Sequence, residues 1–100
     1  MWLDLFCAAV CIGLSVPQLV IFTPDEVEML AVKEHERWMD DYLRAGWVHA
    51  PGDKQNHKKT HPSLVPWSQL TEDEKEKDRD TIRSLPVFLA RAGFQIERRV

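Results

Sequence analysis

The 18 residues from Leu5 to Phe22 carry no charge, whereas all 13 Lys and Arg, and 15 of the 16 Asp and Glu, lie at or beyond Asp25. This division constrains the chain more than any motif, because it separates an apolar leader, residues 1–22, from a polar domain, residues 23–100. A chain of 100 residues has room for one small core and buries only about 60 to 65 percent of its unfolded surface. The overall 44% hydrophobic and 29% charged content is that of an ordinary globular protein and excludes disorder, collagen and disulfide scaffolds. Within the domain, 13 basic residues face 15 acidic ones with both signs interspersed. No basic field exists to collect phosphates, so nucleic acid is not an expected partner. The two cysteines, Cys7 and Cys11, fall in the leader, so the domain has neither a disulfide nor a thiol nucleophile.

An uncharged run of 18 residues just reaches the length of a candidate transmembrane helix. Gly13, Ser15, Pro17 and Gln18 interrupt its second half, and a proline pushes its predecessor out of helical geometry. A secretory signal fits poorly, since the start Met1-Trp2-Leu3-Asp4 has no basic residue and no small-x-small cleavage site follows the apolar run. The nearest cation, Lys33, stands behind Asp25, Glu26 and Glu28 and fixes no orientation. Two readings follow: a membrane anchor, or a helix ending in a strand-like Leu19-Val20-Ile21-Phe22 that packs on the domain or continues an upstream one. Cys7 and Cys11, one helical turn apart, read as small apolar residues on a buried face.

Thr23-Pro24-Asp25-Glu26 is a helix start, with Thr23 as cap, Pro24 at the first helical position and Glu26 closing a capping box. Val27, Leu30, Ala31, Trp38 and Tyr42 recur at helical spacing with His35 on the same stripe, and Gly46 supplies the stop, which predicts a helix over 24–45. Trp47-Val48-His49 reads as a short strand, and Pro51-Gly52-Asp53 as a turn into the polar loop Lys54 to Thr60. His61 to Trp67, bounded by Pro62 and Pro66, reads as a loop anchored to the core. Thr71 with Glu74 predicts a second capping box, opening a helix with few core contacts beyond Leu70, Ile82 and Leu85. Pro86 is expected either to kink this helix or, on the favoured reading, to start a third short helix ending at Gly93. The alternation in Phe94-Gln95-Ile96-Glu97-Arg98 predicts a strand pairing with Val48. The fold class is therefore α+β: two to three helices packed with short antiparallel strands.

Five blocks in order, His35-Glu36-Arg37-Trp38, Ala45-Gly46-Trp47, Lys59 through Trp67, Leu70 with Glu74 to Arg79, and Leu89 to Phe94, resemble the RyR domain, the repeat module of ryanodine receptors. The resemblance covers residues 23–100. It implies a compact α+β module of a bacterial or phage single-repeat type, non-catalytic, cytoplasmic, and binding an adenine nucleotide or a related small ligand. In animal calcium-release channels the module occurs as tandem repeats. This chain has His49-Ala50-Pro51-Gly52 where relatives commonly carry an aromatic and a glycine, and Ser63 where they often carry cysteine; both changes fall beside the expected pocket.

Trp38, Trp47 and Trp67 belong to three of these blocks and are expected to converge, offering flat faces for a purine, although each also suits core packing. Lys58, Lys59, Thr60 and His61 combine ammonium, hydroxyl and imidazole groups that suit a phosphate, or a simple solvated loop. His35 is expected to donate to a backbone carbonyl in the core, and Glu36 to pair with Arg37 or Arg91 or to hold a loop amide. The ligand site expected from these readings is Trp47, Lys59, Thr60, His61, Pro62 and Trp67, with Trp38 and Glu36. No third ligand accompanies His57 and His61, so neither metal nor cofactor is expected. No nucleophile with an oriented base can be assembled, which speaks against an enzyme. The alternative function is a protein interaction or assembly module, self-associating or membrane-tethered, using the charged second helix and the leader.

Overall fold

The computed structural model describes residues 19–99. The membrane reading of the leader and the buried-face reading of Cys7 and Cys11 concern residues outside that range. Helix α1 spans Pro24–Arg44 and helix α2 spans Glu72–Arg91, and the two pack against each other. Between them lie strands β1, Val48–His49, and β2, Thr60–His61, and a 3-10 turn at Trp67–Gln69. No helix of the described residues is long and apolar enough to cross a membrane.

α1 starts where its cap chemistry places it. Thr23 Oγ1 accepts from the Glu26 N–H, and the Glu26 carboxylate accepts from the Thr23 N–H, so both halves of the box form. Its apolar stripe buries Val27 and Ala31, which meet Ile82 of α2, with Phe22, Leu30, Trp67 and Leu85 packed around them. Leu64 and Leu70 from the connecting segment complete the buried apolar set among the described residues. Both helices end in the same device. Gly46 and Gly93 sit at φ near 91° and 93°, where a side chain is disfavoured. Their N–H groups reach Leu43 O and Ala90 O while those of Trp47 and Phe94 reach Tyr42 O and Leu89 O, the paired bonds of a Schellman cap.

Three details of the architecture differ from the sequence reading. The strands are parallel, Val48 against Thr60 and His49 against His61, instead of antiparallel with the C-terminal segment. The loop between them folds on itself, with Gln55 and Thr60 exchanging backbone bonds of 2.9 and 3.2 Å, and this returns Thr60 beside Val48 in the same direction. Residues 94–99 form no strand: the cap at Gly93 turns them away, and β1 already has β2 as partner. α2 also runs through Pro86 as one helix. A proline there removes the N–H that would bond Ile82 O, at a cost of about 3 kcal/mol in a free helix. Here the residue is buried, and the burial of its ring contributes against that loss.

Residues 19–22 lie against the domain. Phe22 packs on the core, and Ile21 O accepts from Arg98 Nη2 at 2.9 Å. Arg98 also grips Glu26 through Nε and Nη2 of one guanidinium edge at 2.8 and 2.7 Å, closing the C-terminal segment onto the start of α1. Those bonds, and then the Thr23 N–H, hold the Glu26 carboxyl at about 2, below its ordinary 4.5. A carboxyl lowered in the folded state stabilises above its unfolded value, and the contribution is lost as pH falls through the folded one. Arg98→Ala is therefore expected to lower the urea midpoint at neutral pH, with the gap to wild type closing between pH 4.5 and about 2. Urea titrations across that range check this, and a gap independent of pH would contradict it.

Candidate functional site

Along α1, His35, Trp38 and Tyr42 share one face and build an aromatic ladder that continues into the loops at both ends. Trp67 approaches His35 at 6.1 Å, His35 stacks on Trp38 at 5.6 Å, Trp38 meets Tyr42 at 4.6 Å, and Tyr42 meets Trp47 edge-on at 5.0 Å. His61, at the end of β2, sets its ring edge-on against Trp38 at 4.9 Å and against Tyr42 at 5.6 Å. Trp47 and Trp67 thus stand at opposite ends of the ladder. The three tryptophans expected to converge do not share a pocket.

The cleft lies at the middle of the ladder. Glu34, His35 and Trp38 of α1, His61 and Ser63 of the loop, and Glu74 and Asp78 of α2 enclose about 290 Å³, with Leu70 at the base and Lys77 at the rim. Each wall has a local cause. His35, 3% exposed, donates from Nε2 to Val65 O at 2.7 Å, the buried carbonyl bond expected of it, and so fixes the loop on α1. Val65 O can only accept, so Nε2 carries the proton and Nδ1 turns toward Asp78, 4.0 Å away. His61 Nδ1 accepts from the Ser63 N–H at 3.0 Å, which orients its ring. Ser63 Oγ donates to Glu74 at 2.9 Å.

That last bond explains a departure at the start of α2. Thr71 accepts from the Glu74 N–H, but the reciprocal half of the predicted capping box does not form, because the Glu74 carboxylate is turned to Ser63 and the cleft. Burial pushes the Asp78 carboxyl up, against the opposing pull of His35 and with the help of Glu34 and Glu74. Burial, and then Lys54, push the His61 imidazole down, favouring its neutral form. Glu34 is held by Arg37 at 2.6 and 3.0 Å, and no Lys or Arg among the described residues comes within ion-pair reach of Glu74 or Asp78. The cleft is an aromatic slot with carboxylates on its α2 side.

Of the eight residues expected at the site, Trp38 and His61 line the cleft. Trp67 instead ties three elements together: its Nε1 donates to Glu28 at 3.2 Å, and Arg79, which also grips Glu28, lies over its ring. Trp47 covers the end of α1 beneath Lys54. Lys59 takes a left-handed backbone, φ 55°, and donates from Nζ to Ala45 O at 2.9 Å, capping the α1 C-terminus where a cation is favoured. Thr60 is held in β2, half-buried Pro62 follows it, and Glu36 is exposed beside Lys33 at 3.6 Å. Ser63 was expected only beside the pocket, and Glu34, Glu74, Lys77 and Asp78 are cleft residues that sequence reasoning missed. The one signal for Glu74 and Asp78 was energetic: like charges at i and i+4 repel.

The RyR domain family model matches residues 18–98. The chain belongs to the RyR domain family. The match begins at Gln18, beside the segment seen packed on the domain, and spans both helices of the RyR fold and the cleft between them. The carbonyl bond from His35 holds the cleft wall of this RyR domain in place. His35→Phe keeps a ring on the ladder but strands Val65 O, and is expected to cost about 1 to 3 kcal/mol of stability in urea unfolding. A change below about 0.5 kcal/mol, the range of neutral surface substitutions, would contradict it.

Proposed function

We propose that this RyR domain is a non-catalytic binding module for a small planar ligand of adenine-nucleoside type, held by its base in the cleft. The observation that carries the reading is the juxtaposition of Trp38 and His61 with the Glu74 and Asp78 carboxylates. The rings offer faces and edges for a flat heterocycle, and the carboxylates accept from N–H groups such as an exocyclic amine. A carboxylate acceptor in a half-buried site strengthens such a bond. The volume, about 290 Å³, sits at the lower edge of the roughly 300 to 1,000 Å³ usual for small-molecule sites, which favours a base over a whole nucleotide.

The same acidic lining repels phosphate. Lys59, a candidate phosphate ligand by sequence, is committed to Ala45 O, and Lys54 lies over Tyr42 and Trp47. Any phosphates attached to the base therefore point to solvent, and added charge weakens binding instead of improving it.

Titration of the full chain with adenosine, AMP and ATP, followed by tryptophan fluorescence, tests this. Adenosine is expected to perturb the signal and to bind more tightly than ATP. Asp78→Asn is expected to weaken adenosine by about 1.5 to 3 kcal/mol, the worth of a hydrogen bond to a charged group. Silence at millimolar adenosine, or tighter binding of ATP, would overturn the reading.

A further inference from the structure

Five of the eight large apolar side chains that stand open among the described residues gather at one end of the domain, where the second half of α2 meets residues 19–22 and 94–96. Ile21 is 82% exposed, Phe88 65%, Phe94 57%, Leu19 51% and Val87 41%. A groove of about 310 Å³ runs between Leu19 to Phe22 on one side and Pro86 and Val87 on the other, and a shallower hollow continues it to Phe94 and Ile96. The cleft between the helices uses none of these residues.

The charge at this end differs from that of the rest of the chain. Residues 81–100 hold four arginines against one acid, Glu97, in a chain of net charge -3, whereas residues 71–80 hold six carboxylates against three cations. Two of the arginines are paired: Arg83 with Glu76 and Asp80, and Arg98 with Glu26. Arg91 and Arg99 are exposed and meet no carboxylate within ion-pair reach among the described residues. Arg91 lies one helical turn beyond Val87 and Phe88, on their side of α2. Arg99 follows Arg98, whose bond to Ile21 O at 2.9 Å sets the C-terminal segment beside the apolar face.

Projecting apolar side chains rimmed by free guanidinium groups match a partner that is apolar within and anionic at its edge. A second copy related by a two-fold axis brings two such basic faces together, and like charges repel. A bilayer containing anionic lipid supplies phosphates at headgroup level with hydrocarbon beneath them, the boundary at which aromatic and basic side chains settle. The same surface repels the carboxylates at the start of α2, which keeps the cleft turned to solvent. We infer that the end of the domain formed by Ile21, Val87, Phe88 and Phe94, with Arg91 and Arg99, is a docking surface for an anionic lipid bilayer.

Cosedimentation of the full chain with vesicles of phosphatidylglycerol and phosphatidylcholine tests this. Binding is expected to rise with the phosphatidylglycerol fraction and to fall with added salt. Arg91→Gln and Arg99→Gln are each expected to weaken it by about fivefold, the worth of one arginine near an anionic leaflet. Phe88→Ser is expected to weaken it by about tenfold, the worth of a ring partly removed from water, with helical circular dichroism unchanged. On phosphatidylglycerol bicelles carrying a doxyl lipid, the amides of Phe88 and Phe94 are expected to broaden most. Four results would each overturn the inference: no binding at millimolar lipid, equal binding to phosphatidylcholine alone, binding that none of the three substitutions weakens, as when residues 5–18 act alone, or broadening strongest at Ser63 and Asp78.

Discussion

The bond from His35 Nε2 to Val65 O is the constraint on which the rest of this RyR domain depends. A loop of this length carries many backbone polar groups and little apolar surface, and nothing in its own sequence folds it into one shape. One buried donor on α1 settles where it lies. With Val65 fixed, Leu64 enters the core, Trp67 reaches Glu28 and Arg79 of the two helices, and Ser63 faces Glu74 across the cleft. Each of these contacts joins the loop to a helix, so the small core of Val27, Ala31 and Ile82 is enlarged by a segment with no regular structure over most of its length.

The helices were legible in the sequence because their signals are local. The box of Thr23 and Glu26, the stripe from Val27 to Tyr42 and the stops at Gly46 and Gly93 all act within a few residues, and they place α1 and the end of α2 where they are found. The strands were legible only in part. Two residues each are too few for alternation to choose a partner, and the direction of β2 depends on the loop closing between Gln55 and Thr60 and on the left-handed Lys59. Pro86 misleads for a related reason: its effect on a helix is read from the lost hydrogen bond, whereas here the burial of its ring decides.

The candidate site was legible to a smaller degree. Tryptophans draw attention because a large flat side chain serves a core and a pocket equally well, and the sequence has no means of separating the two. The structure separates them: Trp67 bonds Glu28, Trp47 closes the α1 cap, and Trp38 faces the cleft. Glu74 and Asp78 were hidden in a run of charges that reads as a wet surface. Their role emerges from the loop that His35 folds over them, a contact across 30 positions that no local pattern records.

The two halves of α2 thus face different chemistry, carboxylates and rings toward its start and an apolar groove toward its end. The claim that binding belongs to the first is tested most directly by following the amide and indole signals of isotope-labelled protein as adenosine is added. The account predicts that the largest shifts fall on the Trp38 indole, His61, Ser63 and Asp78. Shifts confined to Trp47 and the Lys54 to Lys59 loop, with the cleft silent, would contradict it.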